Sequence, residues 1–205
     1  MLRTGPIEFG RSIMRGLFLV LPAAAVLAAC VEVDMTVEVL GEDEARLTGF
    51  IQMERQMYEM TGGDDSFCPE EDGGSLVLSD SHARCTFDQI GTFAELMRPD
   101  AADDVPTDIQ GELTYLDSNR VRALFPLSAM NDGMDEMMDD PQMMAMMRQM
   151  FAGMSISFTV QGREIESSTG TISDDGTRAT IQLGVDDLIS PDAAQMDDFE
   201  TIVRF

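Results

Sequence analysis

Between Val31 and Leu40 apolar and polar side chains alternate without a break, and few chain geometries satisfy that pattern. Val31, Val33, Met35, Val37 and Val39 fall on one side, and Glu32, Asp34, Thr36 and Glu38 on the other. A period of two marks a strand with one buried face, because successive side chains point to opposite faces of a sheet. Gly41 to Glu44 then reads as a turn and Arg46 to Met53 as the returning strand of a hairpin. Two more hairpins follow by the same reasoning. Ile109 to Leu116 and Arg120 to Leu127 flank Asp117-Ser118-Asn119, and Gly170 to Ser173 and Arg178 to Gly184 flank Asp174-Asp175-Gly176. Cys85 to Ile90 and the alternating Ser155 to Gln161 add strands. Short helices are expected at Glu54 to Met60, at Thr92 to Met97 before Pro99, and at Val185 to Ile189 before Pro191. The fold class expected is α+β: one antiparallel sheet built from hairpins, with a few short helices, one of them Met-rich.

The first thirty residues are of another kind. Arg11 and Arg15 precede an apolar stretch from Gly16 to Val26, followed by Leu27-Ala28-Ala29-Cys30. Basic residues, a short apolar core and small residues are the order of a secretory signal peptide. The Leu-Ala-Ala-Cys step resembles the lipobox of bacterial lipoproteins. That resemblance implies cleavage before Cys30 and lipid, palmitate included, on its thiol. The expected division is therefore a signal peptide over 1–29, one lipoprotein domain over 30–190 and an acidic tail over 191–205. Cleavage would leave 176 residues, enough for one domain with a real core. Val31, rather than Asp, after the cysteine favours the outer over the inner membrane, facing the periplasm.

The chain carries 13 Lys and Arg against 38 Asp and Glu, a formal charge of −25. Every basic residue is Arg. Such a chain repels nucleic acid and anionic head groups, so no nucleic-acid partner is expected. With no other long apolar segment, the membrane partner is reached only through the N-terminal lipid.

With Cys30 lipidated, Cys68 and Cys85 remain, an even pair suited to a disulfide in an oxidising compartment. The rival reading is a metal site of Cys68, His82 and Cys85, three ligands at an unusual spacing. Catalysis finds no constellation: His82 lies in Ser79-Asp80-Ser81-His82 without a nucleophile elbow, and the chain has no phosphate-cradling glycine loop and no HExxH. The expectation is a non-enzymatic protein without a cofactor.

Ten methionines fall between Met130 and Met154. Asp140-Pro141 suits a helix start and Gly153 its end. Met143, Met147, Met150, Phe151 and Met154 share one face at helical spacing. Three readings stand: a flexible core filler, an adaptable face for a lipid or partner protein, or a Cu(I) site of Met143, Met144, Met146 and Met147.

The run Cys30-Val31-Glu32-Val33-Asp34-Met35-Thr36-Val37 resembles the start of LppM-type lipoproteins, where the lipidated cysteine runs directly into the first strand. Ser157 to Gly162, Glu164 to Gly170 and Ala179 to Leu183 are similar to that family's closing strands. Gln161-Gly162 stands where the family has Pro-Gly, and there is no tryptophan in the last strand. The resemblance implies an α+β domain of lipid-binding type, acting on envelope lipids or glycolipids, and carries over no catalytic residue.

Overall fold

The computed structural model describes residues 31–63, 67–70, 73–97, 111–127, 141–150, 152–188 and 196–205. Eleven strands and four short helices are found among them. The strands are β1 Glu32–Val39, β2 Ala45–Glu54, β3 Gly74–Leu78, β4 His82–Gly91, β5 Glu112–Asp117 and β6 Arg120–Phe125. They continue with β7 Ser155–Gln161, β8 Glu164–Ser168, β9 Thr171–Ile172, β10 Arg178–Gly184 and β11 Phe199–Arg204. The helices are α1 Arg55–Met60, α2 Phe93–Leu96, α3 Pro141–Met150 and α4 Val185–Leu188. No described helix is long and apolar enough to cross a membrane.

The expected α+β class with one antiparallel sheet is overturned. The described chain is mostly β and forms two sheets, one of seven strands in the order β3-β4-β2-β1-β7-β10-β9 and one of four in the order β5-β6-β11-β8. The larger sheet is mixed, because β1 runs parallel to β7 with Val33 opposite Ile156 and Val37 opposite Val160. Periodicity identified both strands correctly but could not pair them. A hairpin reports only on neighbours in sequence, and these partners are joined through everything between.

Apolar faces of the two sheets meet in one core. Val33, Val37, Val39, Ile156, Phe158, Val160, Ala179 and Leu183 come from the larger sheet. The smaller contributes Leu113, Val121, Ala123, Phe125, Ile165, Phe199 and Val203. Phe125 stacks on Phe158 at 5.7 Å and on Phe199 at 5.9 Å, joining the layers through aromatic contact. The buried hydroxyl of Thr201 is satisfied by Ser168 at 2.8 Å.

Local chemistry explains most boundaries. Ser118 and Asn119 both take positive φ, at 46° and 65°, as the tight β5–β6 turn requires. Thr92 caps α2 in a capping box with Glu95. Gly162 marks where the chain leaves β7 for the other sheet. A Cβ there would lie 2.3 Å from Val203 Cγ2 and 2.6 Å from the Arg204 carbonyl oxygen, so no side chain fits. Residues 199–204, within the region expected as an acidic tail, form β11 between β6 and β8.

The β9–β10 turn contains a pH-sensitive carboxylate. Asp175 accepts hydrogen bonds from the Ser173 hydroxyl at 2.6 Å, the Thr177 amide at 3.1 Å and the Thr177 hydroxyl at 2.8 Å. These donors, Ser173 foremost, lower its pKa from 3.8 to about 2. A depressed carboxylate stabilises the fold above its unfolded value and loses that contribution as pH falls. Urea midpoints of the parent and Asp175→Asn should therefore differ at neutral pH, and the gap should close between about pH 4 and pH 2. A gap independent of pH would show that the turn does not favour the charged form.

Candidate functional site

The cysteine pair is bonded. Cys68 and Cys85 are joined with their Cα atoms 5.5 Å apart, which removes both from the alternative set with His82. His82 instead places Nδ1 2.8 Å from the Ser81 hydroxyl. No group of three or more His, Cys, Asp or Glu side chains able to hold a metal occurs among the described residues. Cys30 lies outside the described residues.

The methionine stripe is described only in part. Met154 and Met144 pack against the core, whereas Met143 and Met146 are exposed. Phe151 lies outside the described residues, as do the side chains of Met147 and Met150. The face expected from helical spacing grouped Met143 with Met154, yet the residue beside Met143 is the one turned inward. Of the candidate Cu(I) quartet, Met144 has a core environment and Met143 and Met146 a solvent one.

Two concavities are formed by other residues. The larger, about 510 Å³, lies between α2 and β5 near the β1–β2 turn. Its floor is apolar, with Phe93 and Leu113 buried and Met97 half-buried, and Tyr115 stands exposed on its wall. Glu42, Asp43 and Glu112 form its rim. The capping box at Thr92 holds Phe93 in place, and the pleat of β5 puts Leu113 and Tyr115 on one face. Such a site accepts an apolar body and disfavours an anionic end.

The smaller concavity, about 400 Å³, lies on the polar face of the seven-stranded sheet. Strand register lines up Thr48, Thr36, Thr159, Thr180 and Thr171 in one row across five strands. The hydroxyls of Thr159 and Thr180 meet at 2.9 Å, and Asp34 and Arg178 flank the row. A Thr row is also what β propensity and cross-strand pairing favour on any solvated sheet face.

Neither concavity was legible from spacing. Phe93 and Leu113 are assigned correctly to a helix and a strand, but their convergence depends on how the sheets stack. The threonines align only through the β1–β7 parallel pair.

No family model matches the chain, and no curated protein matches it. One solved structure, the folded domain of LppM from Mycobacterium tuberculosis, is similar over 87% of this chain and 91% of that one. The identity is 16% and the TM-score 0.47. That is the family the strand segments resemble in sequence, and at this level the likeness assigns no role to any residue.

Proposed function

We propose that the chain is an exported, lipid-anchored envelope protein whose folded part is a non-enzymatic binding module, with the groove between α2 and β5 as its ligand site. The groove itself carries this reading: it is an open concavity of about 510 Å³ above an apolar floor, shaped to cover one side of an apolar group rather than to enclose it. Its three carboxylates select an apolar ligand with a neutral or cationic end, and disfavour anionic lipid heads. The disulfide supports export, since such bonds persist in oxidising compartments. The Leu-Ala-Ala-Cys step supports the anchor.

Binding is tested with a neutral apolar dye, Nile red, against an anionic one, anilinonaphthalene sulfonate. The neutral dye should bind more tightly. Ala94→Trp, which places a ring in the groove from an exposed position of α2, should weaken it about tenfold, equivalent to about 1.4 kcal/mol. Equal binding by the variant, with an unchanged circular dichroism spectrum, removes the groove from consideration. Anchoring is tested by labelled palmitate, which should enter the parent chain in a bacterial host and not Cys30→Ser. A parent chain that takes up no label defeats the lipid anchor.

A further inference from the structure

Four strands end the two sheets, and three of those edges are blunted. β9 has only two residues. β5 carries Glu112 and Asp117 and shifts register between Tyr115 and Asp117. β8 carries Glu164 and Glu166, and its pairing with β11 is irregular at Ile202 and Val203. Charges, bulges and shortness are the usual means by which proteins keep strand edges from pairing with other chains.

β3 has none of these. It is a regular five-residue strand without a charge, and Leu76, Val77 and Leu78 are 37%, 58% and 45% exposed. The Ser79 amide bonds the His82 carbonyl, so the register of the β3–β4 ladder turns Ser75 and Val77 toward β4. The amides and carbonyls of Leu76 and Leu78 then point to the open side and meet no partner among the described residues. The Gly74 amide, which also faces outward, is taken by the Pro69 carbonyl at 3.1 Å. The free part of the edge is therefore centred on Val77.

The sequence there reads Ser75-Leu76-Val77-Leu78-Ser79, a palindrome about Val77. We infer that β3 is a self-association edge, at which a second copy of this chain pairs antiparallel about a two-fold axis through Val77. In that register Leu76 lies opposite Leu78 of the second copy and Ser75 opposite its Ser79. The two unpaired peptide groups on each chain satisfy those on the other, four hydrogen bonds in all, and the interface is isologous. Charge selects the same occupant. On a chain of net charge −25, Ser75 to Ser79 is a stretch where two copies meet without opposing carboxylates. The joined seven-stranded sheets make one continuous sheet of fourteen.

The whole chain, purified in detergent, is examined by sedimentation equilibrium over a wide range of concentration. A reversible dimer is expected. Val77→Lys sets two like charges directly opposite each other, and should raise the dissociation constant about tenfold or more while leaving circular dichroism unchanged. Should that variant fail to fold, Val77→Cys decides. Under mild oxidation it should give a covalent dimer on non-reducing gels, whereas Ser75→Cys, which faces Ser79, should not; the parent chain controls for Cys30. A monomer at every concentration, a dimer undiminished by Val77→Lys, or equal cross-linking at 75 and 77 would each overturn the assignment.

Discussion

Phe125→Ala should cost about 3–5 kcal/mol of folding stability, the largest loss expected from any single side-chain truncation here. Phe125 is 3% exposed and sits where the two layers meet, stacked on Phe158 from one sheet and Phe199 from its own. Truncation removes both ring contacts and leaves a cavity that neither sheet can close. Each layer is tied by its own ladder of backbone hydrogen bonds. Urea denaturation followed by circular dichroism should show a lower midpoint with an unchanged slope. A loss below about 1 kcal/mol, the level of an ordinary substitution, would mean that the sheets are not packed through this residue.

Removing the disulfide should cost about 3 kcal/mol, in the range set by the entropy of closing a loop of this size. Cys68 and Cys85 are 17 residues apart, and Cys85 lies in β4 opposite both Ile51 of β2 and Leu76 of β3. The bond therefore fastens the 67–70 segment beneath the sheet, where the Pro69 carbonyl closes the end of β3. Cys68→Ala/Cys85→Ala should lower the unfolding midpoint, and reductant should lower the parent's midpoint equally while leaving the double variant untouched. A midpoint insensitive to reductant, with both thiols then titratable, would show that the loop needs no fastening.

How much could be read in advance follows the range of the interactions concerned. The β1–β2, β5–β6 and β9–β10 hairpins were legible because turn residues and alternating side chains lie within a few positions of one another. So was α2, through the stop that Pro99 sets just beyond it. β3 was passed over because Leu76-Val77-Leu78 has no alternation: all three are exposed, so no buried face imprints a period. The parallel pairing of β1 with β7, and with it the fold class, depends on residues more than a hundred positions apart. Gly49 illustrates the same limit. In sequence it is an interruption in a strand, yet in the sheet a Cβ there would lie 2.0 Å from the Asp34 carbonyl oxygen of β1. The disulfide was one of two readings of the cysteines until the Cα atoms were placed. The Met-rich helix was located from Pro141 and Gly153, but helical spacing alone did not single out Met144 as an inward-facing member. The groove at Phe93 and Leu113 left no trace in sequence because each residue also satisfies an ordinary core pattern.

The position of β11 bears on when the molecule can take shape. It lies between β6 and β8, although every other strand of that sheet precedes it in the chain. β1, at the opposite extreme, waits for β7 as its parallel neighbour. A chain delivered N-terminus first can therefore pair the seven-stranded sheet once β10 has emerged, but it leaves the facing edges of β6 and β8 open until β11 arrives. Products that stop short of β11 lack Phe199 and Val203 and cannot close the core between the sheets, which makes nearly complete fragments the forms most exposed to proteolysis.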